Sequence, residues 1–206
     1  MLHFLKKYPT GFQLKIDALF LDKGIHLIQG ANGAGKSTLF KAIAGIQPFE
    51  GRILLEKKDL VEDPLTFRRW VNYAEAEPLY PEFVSLEDLI LVVSKAKDPS
   101  MSQVSAMKEA FGVAAFSENR ISTYSSGMLK KASLLLAFLG YPKLIILDEP
   151  FTTIDRATQA RLIDLIALKK SEGVNFLIAS HQTAFLDELA FDSVHTIIEG
   201  EMNRNK

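Results

Sequence analysis

Short unbroken apolar runs alternate along the chain with longer stretches in which apolar residues recur every three or four positions. The runs predict strands near Gly24–Gln29, Arg52–Glu56, Leu144–Leu147, Val174–Ala179 and Val194–Ile198. The longer periodicity predicts a helix after Gly35, a second over about Arg156–Ser171, and a mostly helical middle from about Ser85 to Ser133. Strands alternating with helices imply an α/β fold with a largely parallel core sheet. Leu144-Ile145-Ile146-Leu147 has no alternation, as in a strand covered on both faces, and is expected to sit centrally. Gly45 is expected to close the helix that begins at Lys36, and Glu50-Gly51 to punctuate a hairpin-like turn. The helical middle interrupts the strand series and reads as a lobe inserted into the sheet domain.

Composition narrows the classes. A chain of 206 residues that is 48% hydrophobic can bury one core, which favours a single compact unit. With 24 basic and 25 acidic residues the net charge is -1, so no overall positive field draws a polyanion, and no nucleic-acid partner is expected. The absence of cysteine excludes disulfides, zinc-thiolate sites and thiol nucleophiles, and suits a reducing compartment. The start, Met1 to Tyr8, lacks the order of a secretory signal, and no run reaches the roughly 18 apolar residues of a membrane span. The chain thus reads as soluble, with any membrane role supplied by a partner.

The most specific motif is Gly30-Ala31-Asn32-Gly33-Ala34-Gly35-Lys36-Ser37-Thr38, which fits GxxxxGK[ST] between a predicted strand and a predicted helix. Asn32, Gly33, Ala34 and Gly35 offer backbone N–H groups, free of bulky side chains, to wrap phosphates at a helix N-terminus. Lys36 is expected to bridge the β- and γ-phosphates of ATP, Ser37 to place its hydroxyl on Mg²⁺, and Thr38 to donate on the α-phosphate side. Asp148 and Glu149 directly follow an apolar strand, at the sheet edge where open α/β sheets bind ligands. Asp148 is the expected Mg²⁺ partner, and Glu149 is positioned to orient and deprotonate an attacking water.

Further segments choose among phosphate-loop proteins. Tyr124-Ser125-Ser126-Gly127-Met128, ahead of an apolar helix and the run Gly140 to Pro150, resembles the LSGGQ signature of ABC (ATP-binding cassette) transporter ATPase subunits. Thr153-Ile154-Asp155 is similar to the family's D-loop, and Asp155 also suits a helix cap. His181, after the strand ending at Ala179, resembles the switch histidine that contacts the γ-phosphate. Tyr8 lies where the family stacks an aromatic ring on adenine. Tyr73 to Pro81 looks like the Q-loop, but with Ala76 where Gln usually stands, leaving Glu75 and Glu77 as the nearby acids. Ala31, Ser126 and Met128 also depart from the common pattern. His3, His26 and His195 lack such context and read as surface or packing residues.

This resemblance implies a P-loop NTPase ABC-cassette fold with an antiparallel β subdomain and an inserted helical lobe. It implies one domain over 1–206, with a RecA-like core of about 1–80 and 134–206 and a helical subdomain of about 81–133. It implies ATP hydrolysis by Glu149 and His181, and a head-to-tail dimer with a second nucleotide-binding subunit. In that dimer Ser125, Gly127 and Asp155 would act on the ATP of the opposite subunit. A separate transmembrane permease would hold the chain at the cytoplasmic face of the membrane, docking near Trp70 to Phe83, where Leu79, Tyr80 and Phe83 cluster; internal packing is the other reading of that cluster. Two alternatives stand beside it: a soluble cassette ATPase acting on ribosomes or nucleic acid, and a non-hydrolysing regulatory subunit, which the intact Lys36, Asp148, Glu149 and His181 oppose.

Overall fold

In the computed structural model, which describes residues 2–9, 11–181 and 188–204, Leu2–Lys7 (β1) pairs antiparallel with Gln13–Leu19 (β2). Both strands have short half-buried alternation, with Lys15 and Asp17 outward and Leu14 and Ile16 inward, too weak a run to stand out in the sequence. Next come Ile25–Gly30 (β3), Lys36–Ile43 (α1), Glu50–Leu55 (β4) and Lys58–Asp59 (β5). Pro64–Trp70 (α2) follows, started by Asp63, whose carboxylate accepts from Thr66 N–H at 3.2 Å. It leads into Val71–Ala74 (β6).

The predicted helical middle is three helices: Leu86–Lys97 (α3), opened by a Ser85–Asp88 capping box; Met101–Phe111 (α4), capped by Ser100; and Ser126–Ala137 (α5). Leu144–Asp148 (β7), Arg156–Ser171 (α6), Asn175–Ala179 (β8), Ser193–Ile198 (β9) and Glu201–Arg204 (β10) complete the order.

One ten-stranded sheet runs β5-β4-β1-β2-β10-β9-β3-β8-β7-β6. The block β9-β3-β8-β7-β6 is parallel throughout, as the pattern predicts. β5, β4, β1 and β2 are antiparallel, and β10 bridges the two groups, meeting β2 in a single parallel pair, Glu201 with Lys15, and running antiparallel along β9. β7 is fully buried, but it lies one strand in from the edge rather than at the centre. Its burial comes from helices on both faces. Ile145 and Leu147 enter a core with Phe111, Phe138 and Phe176, while Leu144 and Ile146 enter another with Phe4, Leu39, Phe40 and Phe67.

The turn expected at Glu50-Gly51 is instead the start of β4. The hairpin turn falls at Glu56-Lys57, both with positive φ, as a two-residue hairpin loop demands. Gly51 is required for a different reason: with φ 118° it faces β1 so closely that a Cβ there would meet the His3 carbonyl oxygen at 2.2 Å. Gly45 does follow the end of α1, in the left-handed region. His26 and His195 are buried, and both hydrogen-bond the Ser193 hydroxyl at 2.8 Å, so they serve packing.

Candidate functional site

Three parallel strands that neighbour one another in the order β3, β8, β7 carry the candidate chemistry at their C-terminal ends. β3 ends at Gly30 and runs into the glycine loop, β7 ends at Asp148, and β8 ends at Ala179, two residues before His181. Side-by-side strand ends of this kind form the crevice in which open α/β sheets hold ligands.

The loop turns tightly, with Ala34 N–H donating to the Ala31 carbonyl at 3.1 Å, and Gly35 caps α1 with no side chain in the way. Lys36 is buried, its Nζ donating to the carbonyls of Gly30 at 2.7 Å and Ala31 at 3.1 Å. A cleft of about 370 Å³ lies over the loop. Asn32, Gly33 and Gly35 to Thr38 line one side, and Ala76, Glu77, Asp148 and Glu149 the other. Ala34 is absent from that lining because its methyl joins the core against β1 and β2. A second, apolar cavity of about 170 Å³ opens at the opposite sheet edge, beside Leu144 and Leu177, away from this chemistry.

Asp148 is 1% exposed and accepts from the Tyr73 hydroxyl at 3.3 Å and from the Ser37 hydroxyl. Burial raises its pKa above the ordinary carboxylate value and the Glu149 charge adds to this, while the two hydroxyls oppose it. The Ser37 hydroxyl and the Asp148 carboxylate, hydrogen-bonded at the loop's edge, are an oxygen-only donor pair that fits Mg²⁺.

Glu149 holds φ 47°, a left-handed conformation unfavourable for a residue with a Cβ, of the kind retained where function requires it. Its N–H donates to the Ala179 carbonyl at 2.8 Å. Its Oε2 lies 2.9 Å from His181 Nδ1 and accepts from His181 N–H at 3.3 Å. The pair is asymmetric: the Glu149 side chain is 14% exposed and that of His181 62%. The two residues singled out for catalysis are therefore in direct contact, with Glu149 lining the cleft and the histidine facing solvent beside it.

Tyr8 lies beside α1, with its hydroxyl 3.0 Å from Thr38 Oγ1 and accepting from Gln47 Nε2 at 2.7 Å. The Phe12 ring packs at 6.0 Å from it. Among the Q-loop acids, the Glu75 carboxylate pairs with Lys41 at 3.3 Å and Glu77 lines the cleft. Two residues with no assigned role in the sequence reading also belong to the site. Tyr73 reaches Asp148 across from β6. Lys130, fully buried in α5, donates to the carbonyls of Glu75, Ala76 and Asp148. Burial lowers the Lys130 pKa to about 8, against the pull of Asp148, Glu149 and Glu77. In the sequence it is one of two adjacent lysines, with Lys131, in a helix that carries no other charge.

Ser125, Gly127 and Asp155 come together on another face, outside the cleft lining. Ser125 caps α5 by accepting from Met128 N–H at 3.3 Å. Asp155 caps α6 by accepting from Thr158 N–H at 2.9 Å, and pairs with Lys131 of α5 at 2.6 Å; that ammonium holds its carboxyl well below the usual range. A Cβ on Gly127 would stand 2.7 Å from the carbonyl of Thr153, itself at φ 62°. Gly127→Ala is expected to force these two turns apart at a cost of about 1–3 kcal/mol, a fall of roughly 3–10 °C in Tm. A thermal melt identical to the original protein's would show the contact to be yielding.

The family model described as "ABC transporter" matches residues 18–152. The chain is 31% identical over 202 residues to "ABC transporter A family member 1" of Dictyostelium discoideum, covering 95% of itself but only 23% of that protein. It is 30% identical to "Lantibiotic transport ATP-binding protein SrtF" of Streptococcus pyogenes, covering 86% of itself and 76% of that protein. The fold matches the "Dimeric structure of a post-hydrolysis state of the ATP-binding cassette MJ0796 bound to ADP and Pi" with TM-score 0.81 and 19% identity, over 99% of this chain and 96% of that one. No helix among the described residues is long and apolar enough to cross a membrane. A phosphate loop, an acidic strand end and a signature helix in this order, on this sheet and with these relatives, show that the chain belongs to the ABC transporter family, as an ATP-binding cassette of the P-loop NTPase type.

Proposed function

We propose that the chain hydrolyses ATP to power transport, through ATP-driven closure of a dimer and its reopening after hydrolysis. The observation that carries this reading is the contact at 2.9 Å between His181 and Glu149, the latter lining the cleft opposite the phosphate loop. Glu149 takes the proton of the attacking water, and His181 holds its carboxylate toward the γ-phosphate. The backbone N–H groups of Asn32 to Gly35 hold the phosphate oxygens. Lys36 exchanges its two loop carbonyls for the β- and γ-phosphates. Ser37 and Asp148 would hold Mg²⁺, which neutralises phosphate charge when bound. Tyr8, tied to Thr38, stands ready to stack on adenine.

The separation of Ser125, Gly127 and Asp155 from this cleft supports a site completed by a second subunit, whose α5 N-terminus meets the γ-phosphate. Such a contact exists only while the phosphate is in place, which supplies the differential binding a switch needs. MJ0796, similar in fold, forms a dimer bound to ADP and Pi. Leu79 and Phe83 are 91% and 77% exposed at the end of the Q-loop segment, a surface that suits docking to a transmembrane permease at the cytoplasmic face of the membrane. Tyr80 instead bonds Ser133 inside the fold. The division into a core of about 1–80 and 134–206 and a helical subdomain of about 81–133 is part of the same reading.

Sedimentation with and without ATP and Mg²⁺ tests the dimer. The original chain is expected to shift to dimer with ATP, whereas Ser125→Glu, which sets a negative charge against the opposite γ-phosphate, stays monomeric with its own ATP affinity unchanged. ATP-dependent dimers of Ser125→Glu would remove Ser125 from the interface.

A further inference from the structure

A buried lysine in α5 ties two segments of one cleft wall to the signature helix. Lys130 is 1% exposed, and its Nζ donates to the carbonyls of Glu75 at 2.9 Å, Ala76 at 2.8 Å and Asp148 at 3.0 Å. An ammonium has three N–H donors, and all three are used. No neutral side chain offers three donors from one atom, which accounts for a charge at a position that burial disfavours.

The third bond falls at a chemically sensitive point. The Asp148 carbonyl belongs to the peptide joining the two acids, and the N–H of that same peptide, on Glu149, is held by the Ala179 carbonyl at 2.8 Å. The peptide is thus pinned from both sides, immediately before the residue at φ 47°. A left-handed glutamate relaxes unless its surroundings fix it. The other two bonds fasten a second segment of the same cleft wall, at Glu75 and at Ala76, where the family's usual amide is missing and only the backbone offers a polar group.

We propose that Lys130 is a positioning residue for hydrolysis, holding the Asp148–Glu149 peptide and the Glu75–Ala76 backbone in one frame with the helix that begins at the signature segment. Through it, displacement of α5 moves the Glu149 carboxylate off its line to the cleft. A purely structural tether makes a different prediction, and the fold contains one for comparison. Asn72, buried in β6, donates from Nδ2 to the carbonyls of Ala137 and Leu139, both at 2.8 Å, tying the strand that leads into Glu75 to the C-terminal end of α5, away from the cleft.

The inference rests on the hydrolysis reading above, and steady-state ATPase kinetics with Mg²⁺ separate the two. Lys130→Met is expected to lower kcat by about 10- to 100-fold, since small misplacement of a catalytic group costs that much, with KM and nucleotide affinity within threefold. Lys130→Gln, which retains two donors, is expected to lose less. Asn72→Leu should keep kcat within threefold while melting at lower temperature. An unaltered kcat in Lys130→Met, or in Lys130→Gln where the methionine variant does not fold, overturns the proposal, as does an equal fall in Asn72→Leu. A wild-type chain that turns over no ATP overturns both readings; an active wild type with an equally active Lys130→Met overturns only this one.

Discussion

Replacing Glu149 by Gln is expected to lower ATP turnover at least 100-fold while leaving nucleotide affinity within a factor of about three, because removing a positioned general base forfeits roughly 10²–10⁴ in rate. The substitution is nearly isosteric. The amide oxygen still accepts from His181 N–H, so the geometry around the strand end survives, while the group can no longer take a proton from water. The left-handed backbone at φ 47° is set by the pinned peptide rather than by the carboxylate, and stays as it is. Binding depends on Lys36 and the loop N–H groups on the far side of the cleft, which the change does not touch. ATP therefore persists in the site, and the dimer stays closed. Phosphate release measured beside ATP-dependent sedimentation reads both effects, and turnover within threefold of the original chain would take Glu149 out of the reaction.

How far the sequence alone reaches depends on what kind of signal each residue leaves. Lys36, Asp148 and Glu149 are legible because backbone geometry fixes their spacing: a loop between strand and helix, and acids directly after a strand. The parallel block is legible for a related reason, since strands covered on both faces are continuous apolar runs. β1, β2 and β10 are not, because each has one polar face, and β6, with four residues, is too short to show a period. Lys130 left no motif at all. Its partners are backbone carbonyls 18 and about 55 positions away, which any residue type can supply, so nothing in the sequence marks them. Gly127 is legible as part of the signature, yet the Thr153 carbonyl that a Cβ there would meet is visible only in the fold. Ser125 and Asp155 show the reverse limit. Their capping bonds are complete within one chain, so a role toward another subunit must come from the exposed surface they share rather than from any unmet need of their own.

Lys36→Ala is expected to weaken ATP binding by about 10²–10³-fold, the loss of two charge-assisted hydrogen bonds of about 1.5–3 kcal/mol each, partly offset by freeing the loop carbonyls. Those carbonyls, of Gly30 and Ala31, are reached at 2.7 and 3.1 Å by the ammonium and lie in a partly exposed loop, so water replaces the lysine there at little cost to the fold. Stability and affinity consequently part company, and thermal shift reads the split. At an ATP concentration 100 times Kd, binding stabilises the original chain by about 2.7 kcal/mol, which for a chain of this size raises Tm by roughly 5–10 °C. A variant whose Kd has risen 100-fold gains only about 0.4 kcal/mol at the same concentration, roughly 1 °C. The melting point without nucleotide should move by no more than about 2–3 °C, which distinguishes a lost ligand contact from a damaged loop. A full ATP-induced shift in Lys36→Ala would mean that the ammonium stays on its two loop carbonyls when nucleotide binds, and that the backbone N–H groups at the start of α1 hold the phosphates unaided.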